Sequence, residues 1–380
     1  MMPKPILSLL LAITMLTACS KPSTLTSSPM VSLLGYDAAG YTQVDKSRPI
    51  VFPQDHLSHD DFRQEWWYLT ANLETDEGKQ LGLQWTQFRV ALSPKTPPKK
   101  PAEKAAEKAA SHIKLIDSDW ASKQIFMTHA AITSKTLHFA EERWSRRHPR
   151  LADVSTNPLT IKIDDWQWTG TGADLFPAKL KVDAEQFSYQ LTLETSAPYQ
   201  LQGENGYSIK SADASVASHY YSQPFIQVSG SVTIDGVDHE VSGDAWLDRE
   251  WSSQFLNKTQ AGWDWFALRL EDGSSLMLFQ LRGQDKSSFY SGRRMFADGS
   301  GRNIASKDIH LQVASWHEID SISYPVAWNI SIPSENIDIR TDALNPDARV
   351  PLSISYWEGP VIVSGSHKGE GYMELTGYEH

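Results

Sequence analysis

The segment Trp246–Gly273 reads WLDREWSSQFLNKTQAGWDWFALRLEDG. It sets Trp246, Trp251, Trp263 and Trp265 among Asp248, Glu250, Asp264, Glu271 and Asp272. Tryptophan is costly on a wet surface, and a carboxylate is costly beside it unless something pairs or uses the charge. A carboxyl buried among such rings is pushed toward its protonated form and becomes a proton donor. The aromatic faces can in turn steady a developing cation. The period of two in a β-strand groups Asp264 with Phe266, Leu268 and Leu270, opposite Trp263 and Trp265. It also groups Trp246, Asp248 and Glu250, opposite Leu247 and Arg249. Asp248 and Asp264 are therefore the candidate catalytic residues, with Trp246, Glu250, Trp263 and Trp265 against the substrate. The structural alternative pairs Asp248 and Glu250 with Arg249, Arg269 or Arg89 at a barrel rim.

Glu65, Trp67, Tyr68 and His129 extend this candidate set. In EWWY, Glu65 and Trp67 share one face while Trp66 and Tyr68 share the other. His129 follows Met127 on one strand face, before small residues that would leave a cavity open; it reads as a pocket base or a satisfied core histidine. Other chemistries lack their motifs. The chain has no Gly-x-Ser-x-Gly elbow, no glycine-rich phosphate loop and no His-Glu-x-x-His. His56 and His59 lie among carboxylates in Asp55–Asp61, a zinc-like composition that reads better as a solvated loop. No metal and no cofactor is expected.

The elements that must position these residues read as strands. Runs such as EWWYLTANLE, LGLQWTQFRV, FSYQLTLET and SLMLFQLRG are punctuated by Asp235-Gly236, Asp272-Gly273 and Asp298-Gly299 at hairpin spacing. Ser93–Ser111 is a Pro/Lys then Ala/Glu/Lys stretch, predicted to be a solvated excursion. Internal repetition is the most informative feature. Tyr220–Gly243 matches Tyr356–Gly377, and Trp67–Arg89 resembles Trp265–Arg282. The reading is an all-β protein of two tandem antiparallel units, barrels or sandwiches, spanning 48–245 (with an insertion at 93–111) and 246–380. Forty per cent hydrophobic content supports a sizeable core, and a net charge of −11 argues against nucleic acid as a partner.

At the N-terminus, one lysine precedes an apolar run from Ile6 to Leu16, too short to span a membrane, and then LTAC ending at Cys19. LTAC resembles a lipoprotein lipobox, so residues 1–18 are expected to be a signal peptide and 19–47 a tether. Several acyl chains on Cys19, at roughly 0.8 kcal/mol per buried methylene, would anchor the chain stably to the membrane. Ser20 resembles the sorting pattern of outer-membrane lipoproteins, so the expected location is the bacterial envelope, facing the periplasm.

The motifs HLSHDDFRQEWWYLTANL, MTHAAIT, VSGDAWLDREWSSQ, GWDWFALRL, SYWEGPVIVSG and GYMELTGY resemble the AttH-like family of lipocalin-like proteins. That family is often labelled "predicted secreted hydrolase" and is related to carotenoid 1,2-hydratases (hydroxyneurosporene synthases). The resemblance implies two lipocalin-like barrels and a relation to enzymes that add water to an isoprenoid double bond. Such chemistry needs a protonated carboxyl, aromatic stabilisation of a carbocation and an assisted water. The resulting expectation is an envelope-anchored protein that acts on or binds a small apolar, isoprenoid- or lipid-like molecule, with hydratase-type chemistry if it is an enzyme. The alternatives are a non-catalytic carrier of an apolar ligand and an accessory lipoprotein of an envelope transporter permease. The anchor is testable directly. Cys19→Ala should move the protein from the membrane pellet to the soluble fraction; an unchanged pellet would contradict it.

Overall fold

The computed structural model describes residues 38–94, 122–254 and 260–378. Cys19 and most of the Ser93–Ser111 stretch lie outside the described residues. Among those described, no α-helix occurs; the regular structure is strand, with short 3₁₀ turns at Gln54–His56, Ser306–Asp308 and Pro333–Glu335.

The first sheet contains β1 (Gln64–Thr75), β2 (Gln80–Ala91), β3 (Gln124–Ser134), β4 (His138–Arg146), β5 (Ala152–Ser155), β6 (Thr160–Ile163) and β7 (Trp166–Gly170). It continues with β8 (Ala178–Asp183), β9 (Phe187–Glu194), β10 (Gln200–Leu201), β11 (Tyr207–Ile209), β12 (Ala217–Ile234) and β13 (Val237–Ser252). The second contains β14 (Gln260–Leu270), β15 (Ser274–Gly283), β16 (Ser288–Phe296), β17 (Gly301–Ile304) and β18 (His310–Ile319). It is completed by β19 (Ile322–Ile332), β20 (Ile337–Ala343), β21 (Arg349–Val350), β22 (Tyr356–Gly365) and β23 (Gly369–Leu375). The first sheet runs β4-β3-β2-β1-β13-β12-β9-β8-β7-β6-β5 and nearly closes into a barrel; the second runs β17-β16-β15-β14-β23-β22-β20-β19-β18 and forms a half-barrel.

The repeat is visible in this order. The central four strands are β2-β1-β13-β12 in one sheet and β15-β14-β23-β22 in the other, so each opening hairpin pairs with its own closing hairpin. Asp235 (φ 49°) and Gly236 (φ 78°) make the β12–β13 turn, with both central residues in the left-handed region that two-residue hairpins require. One boundary moves. The sequence places the junction at 245/246, but Trp246–Ser252 pair with β1, so the first sheet keeps the chain through Ser252.

Burial along the strands locates the contact between the halves. β8 and β9 alternate between buried and accessible residues, as strands with one wet face do. β1, β2, β14 and β15 are buried on both faces for most of their lengths. One face fills its own barrel: Leu69, Trp85, Trp168, Leu247 and their neighbours in the first, Phe266, Leu268, Trp328 and Trp357 in the second. The other face packs the sheets together around Tyr68, Trp246, Trp263, Trp265, Phe279 and Tyr356. Packing there is close; a Cβ on Gly82 would lie 2.5 Å from both the Pro360 ring and the Tyr372 hydroxyl.

Candidate functional site

Between the two sheets lies a narrow cavity. Its non-atom space is about 650 Å³ including the mouth, of which only about 60 Å³ can take the centre of a water molecule. The cavity belongs to neither barrel interior. Its walls are two rows of cross-strand neighbours: Thr86, Tyr68, Asp248 and Ser222 on the first sheet face Phe279, Trp265, Glu374 and Glu358 on the second. All but Ser222 line the cavity, with Trp66, Phe88, Lys210, Tyr220, Glu250, Trp263, Met277 and Tyr356.

These rows correct the opening match of the repeat by one residue. The sequence match sets Trp67 against Trp265, yet Trp67 faces the first barrel core and Trp265 the cavity. By pairing, Tyr68 sits opposite Asp248 as Trp265 sits opposite Glu374. In the closing strands, Trp246-Leu247-Asp248 is thus the counterpart of Tyr372-Met373-Glu374. With a period of two, a slip of one residue exchanges wall for core.

Asp248 is where the sequence analysis expects a cavity acid. Burial pushes its carboxyl up to about 7, against hydrogen bonds from Ser222, Tyr220 and Trp246 that favour the ionised form. Tyr220 donates to Oδ2 at 2.5 Å and the Trp246 indole N–H to Oδ1 at 2.7 Å. Trp246 therefore stands behind Asp248 rather than on the cavity wall. Glu250 reaches the cavity as expected, holding the Lys210 ammonium at 2.8 Å and accepting from Ser218. Lys210 Nζ lies 4.5 Å from the centre of the Tyr220 ring.

Three expected residues point elsewhere. Asp264, more buried than Asp248, faces the second barrel, 3.1 Å from Arg282 Nε and 2.8 Å from the Tyr378 hydroxyl. Its strand neighbours Trp263 and Trp265 are in the wall because period two turns Asp264 away. Glu65 and Trp67 face the first barrel. There Glu65 is paired with Arg89 and Arg249, and the Arg249 guanidinium lies 3.9 Å from the Trp67 ring centre. Against the opposing push of burial, those two arginines hold the Glu65 carboxyl well below its usual range. Arg249 and Arg89 are thereby occupied, and Arg269 pairs with Asp244 at 2.7 Å, so none of them neutralises Asp248 or Glu250. The Asp55–Asp61 segment is also not a fully solvated loop. Asp55 and His56 are buried, and His59 bridges Asp55 at 2.9 Å and Glu65 at 3.0 Å.

His129 is fully buried just behind the wall, with Nδ1 2.9 Å from the Tyr356 hydroxyl. Sequence reasoning misses Glu358 and Glu374, the most perturbed acids of the cavity. They are direct partners across β22 and β23, where like charges repel. Burial, then the charge of Glu374, pushes the Glu358 carboxyl well above its usual range. Burial, with Asp248 and Glu250 nearby, pushes Glu374 up to about 8 although Trp263 donates to it at 3.1 Å. Tyr68 donates to Glu358 Oε1 at 2.6 Å, while Oε2 is buried with no hydrogen-bond partner.

Residues 43–378 match the AttH-like family. The chain belongs to that family. An AttH structure from Nitrosomonas europaea is 33% identical, covers 89% of this chain and 99% of its own, and superposes with a TM-score of 0.74. Kievitone hydratase from Nectria haematococca shares the fold at 12% identity, with 89% of this chain and 96% of that one covered and a TM-score of 0.64. No match is found among curated proteins. Within the AttH-like fold, then, the two halves enclose a seam cavity containing buried acids.

The acids give stability a definite pH dependence. The ordinary Glu374 value is 4.5 and the folded value about 8, so the unfolded chain ionises while the folded chain still holds the proton. Stability is unaffected by this group below pH 4.5 and falls as pH rises toward 8. Glu358→Gln, which keeps the acceptor for Tyr68 and removes one ionisable partner, should raise the melting temperature by several degrees at about pH 8 and change it little at about pH 5. A melting temperature lowered equally at both values would refute a protonated pair.

Proposed function

We propose that this cavity is an acid–base site that adds water to a carbon–carbon double bond of a small, neutral, apolar molecule, in a protein anchored to the bacterial envelope through Cys19. The observation that carries the reading is Glu358: a buried carboxyl opposite a second carboxyl, with one oxygen unpartnered in an aromatic slot. A proton on Oε2 has no protein acceptor and is available to a ligand. The narrow slot suits a thin or planar ligand, and its excess of carboxyls disfavours an anionic one.

In this reading Glu358 donates its proton to one alkene carbon. The cation that develops on the other lies between Trp66, Trp265 and Phe279, whose faces attract positive charge without trapping it. Asp248, on the facing wall, accepts a hydrogen bond from the attacking water and orients it. Glu374, across from Glu358, keeps the donor proton from being lost to bulk solvent at neutral pH, because both acids cannot ionise together. The kievitone hydratase among the fold relatives is named for the same class of reaction.

The test is incubation of the purified protein with a neutral lipid extract from its own envelope in ¹⁸O-labelled water, followed by mass spectrometry. The expected product carries one added labelled water, and Glu358→Gln abolishes its formation while the unsaturated compound still co-purifies with the protein. A compound that binds wild type and variant alike and never gains water would make the protein a carrier.

A further inference from the structure

Behind the cavity wall, three side chains line up from the seam to the outside. Tyr356 lines the cavity, two residues along the same strand face from Glu358. Its hydroxyl accepts from Gln84 Nε2 at 3.2 Å and lies 2.9 Å from His129 Nδ1, with the two rings stacked at 12°. His129 Nε2 has no hydrogen-bond partner of good geometry, and the carboxylate nearest it is Glu142 Oε2 at 3.5 Å. Glu142 is the cross-strand partner of His129, and its side chain is 24% exposed. Ser353 and the Trp144 indole at 3.0 Å hold Glu142 in place. The remaining neighbours of His129, Thr86 opposite it on β2 and the Phe88 ring, carry no charge.

We propose that Tyr356, His129 and Glu142 form a proton relay joining the seam cavity to solvent, with Glu142 and His129 as positioning residues for the Tyr356 hydroxyl. The relay rests on the hydration reading for its use, though not for its detection. An ionised Glu142 favours the imidazole tautomer with the proton on Nε2, which leaves Nδ1 free to accept from Tyr356. Burial lowers the His129 pKa, so the ring stays neutral, and the nearby His129 ring, with the hydrogen bonds from Ser353 and Trp144, holds Glu142 at about 2. When water adds to the cation, its surplus proton passes to the Tyr356 oxygen as the Tyr356 proton moves to Nδ1; the Nε2 proton leaves through Glu142. After product departs, the same three steps in reverse return one proton to Glu358 and restore the tautomer. One proton leaves and one enters, so the net reaction is addition of water alone.

Proton positions can be read without turnover. Full-length protein labelled with ¹⁵N in histidine should show, in a long-range ¹H–¹⁵N correlation at neutral pH, a neutral His129 with its proton on Nε2. In Glu142→Ala the proton should shift to Nδ1, and in Tyr356→Phe the unprotonated Nδ1 resonance should move downfield on losing its donor. A wild-type His129 protonated on Nδ1, or a spectrum indifferent to Glu142→Ala, would overturn the relay even if labelled water is incorporated. The wild-type spectrum alone decides if a variant does not fold, and a negative labelled-water assay beside the expected spectrum would count against hydration and not against the relay.

Discussion

Two glutamates opposite each other on neighbouring strands, buried among aromatic rings, cannot both be charged. That constraint governs the seam between the two barrels. Tyr68 and Trp263 supply Glu358 and Glu374 with single hydrogen bonds, and the Lys210 ammonium of the same wall is paired with Glu250. The cheapest state keeps a proton in the pair at neutral pH. Everything proposed for the cavity follows from that proton and from the partnerless oxygen that can carry it.

The protein contains its own control. Glu65 is as deeply buried, but two arginines and His59 converge on it, so it stays ionised and fastens the end of the first barrel. The two outcomes alternate along one strand: Asp248 and Glu250 point into the seam, while Arg249 between them points into the barrel toward Glu65. Strand periodicity thereby separates a charge-satisfied structural face from a charge-poor reactive one within a few ångströms. Packed side chains of the two barrel interiors complete the division, and the aromatic cavity lies where the outer faces of the two sheets meet.

Much of this was legible in the sequence. The β pattern and the hairpin repeat anticipate two antiparallel units, the family resemblance makes them barrels, and the Trp/carboxylate density of Trp246–Gly273 points to the seam. Period two alone sorts Trp263 and Trp265 from Asp264, but it does not say which face meets a cavity, and the structure gives Asp264 to Arg282 and Tyr378. Glu65 failed for the same reason. Glu358 and Glu374 escape the sequence reading because matching Tyr220–Gly243 with Tyr356–Gly377 sets Gly243, not Asp248, at the end of the closing strand. Aligned on aromatic–apolar–acid instead, Trp246-Leu247-Asp248 finds Tyr372-Met373-Glu374, and the second acid appears. The approach of Tyr356 to His129 depends on how two sheets dock, which no local pattern encodes.

The central claim is that a proton resides in the Glu358–Glu374 pair at neutral pH. Neutron diffraction from deuterium-exchanged crystals grown at about pH 7 observes that proton itself. The account predicts a deuteron on Glu358 Oε2, directed into the cavity, with Oε1 accepting from Tyr68. Two bare carboxylates, each compensated by a bound cation or by ordered water, would contradict it.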